Sequence, residues 1–329
     1  MVSLDDVKSS NSRLAIPNLV AVFAGATAGI GSFTLLHFAE HAIKPKIYFL
    51  GRSQEQADLM TRQLKGKNAE GEYIFVKADL SSMKNVDQAC EKIKQQEESI
   101  NILLMSQGAL KLGTTDEGLP YITAVSIIGR LRVAQNLLPL LRKGQSLRRV
   151  VSVMAGGKEG KLYLDDIPAR RVNPSHGREH AATTMTLGLE GLASQAPEVS
   201  FVHSFPGPVM TNLVRKESGL VLRPLKYLFQ WRYRNSWISP GETGERHVFL
   251  CVSAQFPPKD GDGGLGVPLE GQLEVAKGSD GAQGSGVYIV DERSAVCSNS
   301  FGVLAKYRDE GAVDRVWQGL DAEFKRILG

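Results

Sequence analysis

The sequence predicts an α/β fold in which a doubly wound parallel sheet carries helices on both faces. Short apolar runs rich in Val, Ile and Phe alternate with longer segments of helical spacing, and a glycine-rich turn follows the first run. Such runs are typical of strands buried on both faces, and their alternation with helices indicates a parallel sheet. The 329 residues, 42% hydrophobic and 22% charged, are enough for one large domain.

The predicted elements alternate along the first two thirds of the chain. Strands are expected at 19–24, 46–50, 73–77, 100–105, 150–154 and 199–203, and helices at 30–42, 54–64, 83–94, 122–141 and 181–192. Two later segments interrupt the alternation: a basic and apolar insert at 215–239 and a Gly/Pro-rich loop at 257–286. Neither is typical of a domain boundary, so we expect a single domain over 1–329.

Composition excludes several classes of protein. The net charge of +4 is mild and the basic residues are spread along the chain, so no nucleic-acid partner is indicated. Cys90, Cys251 and Cys297 lie far apart, which favours a reducing compartment over a disulfide framework. The polar N-terminal segment indicates neither a signal peptide nor stable membrane insertion, so a cytoplasmic location is expected.

The first strand runs into the glycine-rich turn "AGATAGIG", directly before a helix. Small residues let the backbone approach a phosphate, and the free N–H groups and dipole of the helix face it. The alternative is a tight turn without a ligand. The residues expected to bind a cofactor here are Gly25, Thr27, Gly29, Ile30 and Gly31.

This Gly-x-x-x-Gly-x-Gly spacing after Ala24 resembles the opening motif of the short-chain dehydrogenase/reductase family. Three later motifs fit the same resemblance, which covers residues 19 to about 255: Asp79-Leu80 after the third strand, Met105-Ser106-Gln107-Gly108 where the family has Asn-Asn-Ala-Gly, and Pro206-Gly207-Pro208-Val209-Met210-Thr211 after the sixth strand. It implies a Rossmann-type sheet and a nicotinamide cofactor, with Asp79 at the adenine amino group and Thr211 at the nicotinamide side.

The resemblance also implies how the chain is organised. A cofactor-binding core is expected at 19–214, a substrate lid at 215–239 and a C-terminal extension at 257–329. The family forms dimers or tetramers through the helices that correspond to 122–141 and 181–192, so a homodimer or homotetramer is expected. The C-terminal part resembles that of fungal reductases associated with secondary metabolism.

The residues after the second strand indicate which cofactor is used. An acid there would bind the ribose 2′-hydroxyl and repel a 2′-phosphate, whereas this chain has Gly51-Arg52-Ser53. A guanidinium and a hydroxyl suit a phosphate, so NADP(H) is favoured over NAD(H). The alternative is that Arg52 faces solvent at the end of a strand.

The stretch "RVNPSHGREHAA" occupies the segment where the family has its catalytic Tyr-x-x-x-Lys. Alignment puts His176 in the Tyr position and His180 in the Lys position, while Met154-Ala155 replaces the family's serine and Ser126 its helix asparagine. All four positions depart from the family. An imidazolium can donate a proton near neutral pH, so either histidine is a candidate for the missing acid.

Three alternatives for this stretch stay open. The histidines could cap a helix beside a pocket of another purpose, and Tyr163 is a further candidate acid. The order His-x-x-Glu-His also matches the zinc site of the inverted zincins. That site would need His203 or His247 as a third ligand, and Pro174 and Gly177 disfavour a helix around its first histidine, so no metal is expected.

The insert at 215–239 is expected to cover a hydrophobic substrate, with a membrane surface as the alternative. The function indicated is an NADP(H)-dependent oxidoreductase acting on a carbonyl or alcohol of a hydrophobic, polyketide-type small molecule. A non-redox isomerase, dehydratase or cyclase on the same scaffold is the alternative, and a non-catalytic binding protein is a third possibility.

Overall fold

The computed structural model describes residues 1–210, 237–261 and 266–329. Within them the strands are β1 (Val20–Ala24), β2 (Lys46–Gly51), β3 (Glu72–Lys77), β4 (Ile102–Met105), β5 (Arg149–Val153), β6 (Ser200–Ser204) and β7 (Val287–Val290). The helices are α1 (Leu4–Ser12), α2 (Ile30–His41), α3 (Gln54–Lys67), α4 (Met83–Lys94), α5 (Tyr121–Thr123), α6 (Gly129–Leu141), α7 (Gly177–Gln195), α8 (Pro240–Val252), α9 (Phe301–Asp309) and α10 (Ala312–Leu328).

The strands form one parallel sheet in the order β3-β2-β1-β4-β5-β6-β7. The chain moves outward from β1 to β3, crosses back, and continues outward from β4 on the other side. In such sheets the crevice outside the carboxyl ends of β1 and β4 is the usual ligand site. The predicted fold class is confirmed.

Each face of the sheet is covered by helices because strand side chains alternate between two cores. Val22 and Ala24 of β1 join the core built with α4, α6, α7 and α10. Ala21 and Phe23, between them, join the core built with α2, α3 and α8. This burial on both faces explains why the strands appear in the sequence as continuous apolar runs.

Strand β7 and helices α1, α8, α9 and α10 were not predicted from the sequence. The short strand β7 pairs with β6, Val287 opposite Phe201, so part of 257–329 belongs to the sheet rather than to an extension. Helix α1 is capped by Ser3, whose hydroxyl accepts from the Asp6 amide at 3.1 Å. Among its apolar side chains only Val7 is fully buried, so the segment lacks the apolar stripe that predicts a helix.

Helix α10 covers the outer face of α7. The Trp317 indole donates to the Gly188 carbonyl at 3.1 Å, and a Cβ at Gly191 would collide with the same indole. Nearby, the Arg132 guanidinium of α6 lies 4.7 Å from the centre of the Phe324 ring. The expected oligomer through α6 and α7 would therefore have to form over α10, because the chain itself occupies much of that surface.

Candidate active site

The glycine turn after β1 lies directly against the loop that follows β4. Gly25 has a φ of +82°, and a Cβ there would fall within 3 Å of the Gln107 backbone. A Cβ on Gly31 would collide with the Ser106 hydroxyl. Glycine is needed at both positions because any side chain would push the two loops apart.

The same turn leaves the amino end of α2 open for an anion. Gly29 precedes the first helical residue, Ile30, with a φ of +66° and no side-chain cap. Thr27 contacts the end of β2, where a Cβ on Gly51 would strike its side chain. Uncapped N–H groups at a helix start after a glycine turn suit a pyrophosphate.

Two cations gather around one tyrosine beyond β2. The exposed Arg52 donates from Nη1 to the Tyr121 hydroxyl at 3.0 Å, and the Lys111 ammonium lies 4.6 Å from the centre of the Tyr121 ring. The neighbouring Ser53 caps α3 by accepting from the Gln56 amide at 3.3 Å. This corner is basic and is built around an aromatic ring.

Asp79 closes the turn after β3. Its Oδ1 accepts from the Ser81 amide at 3.0 Å and from the Ser81 hydroxyl at 2.8 Å. The other carboxylate oxygen makes no hydrogen bond to any residue that the structure describes, and Asp79 is only half-buried. The carboxylate is fixed in direction and keeps one oxygen for a ligand.

Gln107 is the polar side chain that most clearly lacks partners. It is 5% exposed, and neither its amide oxygen nor its amide nitrogen has a hydrogen bond within the described part of the chain. Leaving such a group unsatisfied costs about 1–3 kcal/mol, so a buried orphan amide beside a ligand crevice indicates a binding partner. The next residue, Gly108, continues this loop away from β4.

Arg130 is a buried cation that the sequence analysis missed. It is 2% exposed and donates to the Gln107 carbonyl, to the Ser152 hydroxyl at 3.0 Å and to the Val153 carbonyl at 2.8 Å. Burial lowers its pKa to about 9. It has no carboxylate partner in the described chain, and it joins the carboxyl ends of β4 and β5. The available signal was an arginine within an apolar helical run.

Ser126 lies in an irregular turn of the helix that leads into α6. Residues Ala124–Ile128 form a π-helical turn, with the Gly129 amide bonded to the Ala124 carbonyl. Ser126 is the half-buried residue of this turn, between buried neighbours. Single π-turns occur frequently at functional sites because they redirect one side chain.

Tyr163 and His176 form a hydrogen-bonded pair at the start of α7. The tyrosine hydroxyl lies 2.8 Å from His176 Nδ1, and the two ring centres are 6.1 Å apart. His176 ends a short 3-10 turn, Pro174–His176, and is half-buried. The Lys161 ammonium lies 5.1 Å from the centre of the Tyr163 ring. A phenol and an imidazole in this arrangement can pass a proton between them.

His180 is held in a different way. Its ring is fully buried, its Nε2 bonds to the Ile167 carbonyl at 3.1 Å, and its Nδ1 accepts from the Tyr163 backbone amide at 3.3 Å. Burial lowers the pKa of His180, against the opposing effect of the bond to Ile167. A neutral ring with both nitrogens bonded to backbone leaves no atom for a substrate.

The zinc arrangement considered for this stretch does not assemble. Besides the fixed ring of His180, the intervening Glu179 accepts from the Lys161 amide at 3.1 Å. His203 accepts from the Ala155 amide through Nε2 at 3.2 Å, and its Nδ1 lies 2.8 Å from the Thr186 hydroxyl. These side chains are therefore engaged separately rather than around one point.

The segment after β6 reaches the edge of the described chain. Gly207 of the Pro206-Gly207 motif has a φ of +70°, and a Cβ there would press on Ile238. The Ile238 amide bonds to the Pro208 carbonyl at 3.0 Å, which joins the described residues on the two sides of 211–236. Thr211 and residues 215–236 of the expected lid, 215–239, lie outside the described residues. Within the described residues no helix is long and apolar enough to cross a membrane.

Comparison with known proteins identifies the family. Residues 19–162 match the family model of the short chain dehydrogenases. The chain is 38% identical to the oxidoreductase AN1596 of Emericella nidulans over 96% of each chain. It is 32% identical to the oxidoreductase andH of Emericella variicolor over 100% of this chain and 98% of the relative. The chain belongs to the short-chain dehydrogenase/reductase family.

The fold agrees with solved members of the family. L-sorbose reductase from Gluconobacter frateurii, solved with NADPH and L-sorbose, is similar with a TM-score of 0.55 and 19% identity. The match covers 73% of this chain and 91% of that chain. Against this short-chain dehydrogenase/reductase background, the glycine turn and the unsatisfied Gln107 amide fit a nicotinamide dinucleotide.

Proposed function

We propose that this protein is an NADP(H)-dependent oxidoreductase that interconverts a carbonyl and an alcohol on a hydrophobic small molecule of polyketide type. The observation that carries the proposal is the 2.8 Å contact between the Tyr163 hydroxyl and His176 Nδ1. This contact puts a phenol beside the residue that the resemblance aligns with the family's proton donor, so Tyr163 is proposed to take that role. The similarity to oxidoreductases of two Emericella fungi supports a role in secondary metabolism.

The cofactor assignment depends on residues from three loops. The glycine turn and the open start of α2 would hold the pyrophosphate, and Asp79 and the Gln107 amide would bond to the rest of the dinucleotide. Arg52, steadied by Tyr121, would bind the 2′-phosphate that distinguishes NADP(H). When bound, the nicotinamide supplies or accepts the hydride. Pro206, Gly207 and Thr211 are proposed for the nicotinamide side, as in the family.

The proton would pass through Tyr163 and His176. In the reducing direction the Tyr163 hydroxyl gives its proton to the substrate oxygen as the hydride arrives at the carbon. A protonated His176 then donates from Nδ1 to the phenolate oxygen at 2.8 Å. The cationic ring stabilises the developing negative charge, which is the task that a lysine performs in the family. In the oxidising direction the same protons move in reverse.

His180 would act as a positioning residue. Its Nδ1 holds the Tyr163 backbone amide and its Nε2 holds the Ile167 carbonyl, so the ring fixes the loop that carries the phenol. The lysine slot is thus used for support, while the tyrosine slot is used for proton transfer. Ser126 remains a candidate to bind the substrate oxygen or a water, because Met154 and Ala155 offer no hydroxyl there.

The test begins with binding and continues with turnover. The full chain is titrated with NADPH and NADH by cofactor fluorescence, and NADPH consumption is then followed with a series of aryl and alkyl ketones of increasing size. Tight NADPH binding with consumption favouring large apolar ketones supports the proposal. Absence of binding to either cofactor overturns it.

One observation favours a second function. The resemblance aligns a different residue with each of the family's four catalytic positions, so a non-redox isomerase, dehydratase or cyclase could use the same phenol–imidazole pair as its acid and base. Such an enzyme would convert its substrate without any nicotinamide present. Turnover by cofactor-free protein would decide for this alternative.

A further inference from the structure

A second group of histidines lies on α2, outside the active site. His37 and His41 are one helical turn apart, and Glu245 of α8 reaches both. His37 Nδ1 is 3.2 Å from Glu245 Oε1, and His41 Nε2 is 3.1 Å from Glu245 Oε2. All three candidate ligand atoms lie within 4.8 Å of one another, and among the described residues no other group of His, Cys, Asp and Glu does so.

These distances suit a tetrahedral metal. With bonds of about 2.0–2.1 Å to zinc, the ligand atoms of a tetrahedron lie about 3.3 Å apart. His37 Nδ1 is buried and has no hydrogen bond, although the carboxylate of Glu245 is only 3.2 Å away. The nitrogen therefore lies close to the oxygen without a well-directed hydrogen bond to it. A cation between the two atoms would satisfy both.

The surroundings hold the three side chains in place. The Asn11 amide nitrogen donates to Glu245 Oε2 at 2.6 Å and to the Glu245 carbonyl at 2.9 Å, so α1 orients the carboxylate. A Cβ on Gly244 would collide with the His37 ring, so glycine allows α8 to approach α2. A second layer that aims the ligands is a regular feature of metal sites.

The site is open on one side. The His37 and His41 side chains are 26% and 17% exposed, against 10% for Glu245. Glu40 Oε2 lies 3.9 Å from His37 Nδ1 but is paired with Lys67 at 3.0 Å. Three protein ligands therefore leave a fourth position that water can reach.

We propose that His37, His41 and Glu245 bind a divalent transition-metal cation, with Zn²⁺ the best match to two imidazoles and one carboxylate. The cation fastens α2 to α8 and, through Asn11, to α1. His41 ends α2, about 16 Å along the axis from the first residue of the helix at the phosphate turn. The site therefore stabilises the fold and does not touch the reacting atoms, so it is independent of the proposed function.

Cobalt serves as the probe. Tag-free, chelator-treated full chain is titrated with Co²⁺, followed in the visible region, and then with Zn²⁺. We expect an absorption typical of four- or five-coordinate Co²⁺ that saturates at one equivalent and disappears on adding Zn²⁺. Zn²⁺ should also raise the midpoint of thermal unfolding. A wild-type protein without this signal overturns the proposal, whatever the variants do.

Substitutions test whether the Co²⁺ absorption comes from this site. His41→Ala and Glu245→Gln should each weaken Co²⁺ binding by about 100-fold or more, and Asn11→Ala by about tenfold, since outer-shell partners typically contribute 10–100-fold. His176→Ala is the matched control, a half-buried histidine beside another helix, and should bind Co²⁺ as wild type does. Binding that survives in His41→Ala and Glu245→Gln but fails in His176→Ala would contradict the assignment and move the metal to α7.

Discussion

The glycine turn after β1 and the start of α7 lie at the same carboxyl edge of the sheet, yet they follow the family to different degrees. The turn keeps the family's glycine spacing, with Gly25 at a φ of +82° and Gly31 against the Ser106 hydroxyl. At the start of α7, the resemblance to the family puts His176 and His180 in the tyrosine and lysine positions. The first region keeps the family's pattern, and the proposed function treats the second as replaced.

The difference follows from what each region is made of. A phosphate cradle is made of backbone N–H groups, so a larger residue would move the backbone itself. A proton donor needs only an ionisable atom at the right point, and a side chain from another loop can supply it. In the proposed function, Tyr163 supplies it from the loop after β5. Sites built from side chains can therefore change residues more freely than sites built from backbone.

The largest expected effect tests the replaced region. Tyr163→Phe should lower turnover by about 10²- to 10⁴-fold with unchanged NADPH affinity, because it removes the proposed proton donor. Tyr307→Phe is the matched control, since its hydroxyl accepts only from the Leu162 amide at 2.8 Å in the same loop. Equal losses of turnover in both variants would mean that loop support, and not proton transfer, is being measured.

The next effect separates the two histidines. His180→Ala should lower the free energy of unfolding by about 2–4 kcal/mol, because it leaves a cavity and unpairs the Ile167 carbonyl and the Tyr163 amide. His176→Ala should cost under about 1 kcal/mol but reduce turnover strongly. Denaturant unfolding of both variants checks the first result, and a His180→Ala protein as stable as wild type would refute the supporting role.

Acid pH should destabilise the protein through its buried histidines. Because burial lowers the pKa of His180 in the folded protein, the unfolded chain binds its proton more readily. His247, whose pKa burial lowers to about 4, behaves in the same way. Stability should therefore fall as pH drops below the ordinary imidazole value of about 6.5. The loss of stability with falling pH should be smaller in the His247→Phe variant.

A third effect tests the retained region. Gly31→Val should weaken NADPH binding by about tenfold to 100-fold, since overpacking against Ser106 costs about 1–3 kcal/mol. Gly177→Ala is the control from the start of α7, where an added Cβ meets nothing within 4 Å. NADPH titration of both variants checks the result. Unchanged affinity in Gly31→Val would place the cofactor elsewhere.

The smallest effect concerns the choice of cofactor. Arg52→Ala should weaken NADPH binding by about tenfold while leaving NADH binding unchanged, because a charge-assisted contact to the 2′-phosphate contributes about 1.5–3 kcal/mol, reduced here by exposure. Titration of both cofactors against both proteins checks it. Equal affinities of the wild-type protein for NADPH and NADH would contradict the assignment of Arg52 to the 2′-phosphate.

The sequence predicted the sheet and the glycine turn because both depend on local patterns: apolar runs, and glycines before a helix. It did not predict β7, which is only four residues long, α1, which buries little apolar surface, or the helices α8, α9 and α10 of the C-terminal part. Arg130 could not be assigned because its partners come from the ends of β4 and β5. The separate roles of His176 and His180 depend on the burial of His180 and on the contact between His176 and Tyr163, 13 residues earlier in the chain. The spacing of the two histidines reveals neither.

The central claim is that a phenol–imidazole pair now delivers the proton, and the pH profile of reduction tests it most directly. NADPH-dependent ketone reduction is measured at saturating cofactor from acid to alkaline pH for wild type and His176→Gln. We expect the wild-type rate to fall as pH rises, because only protonated His176 can resupply Tyr163. The variant should be slow and lack that fall. A wild-type rate that stays level from acid to alkaline pH would contradict the account.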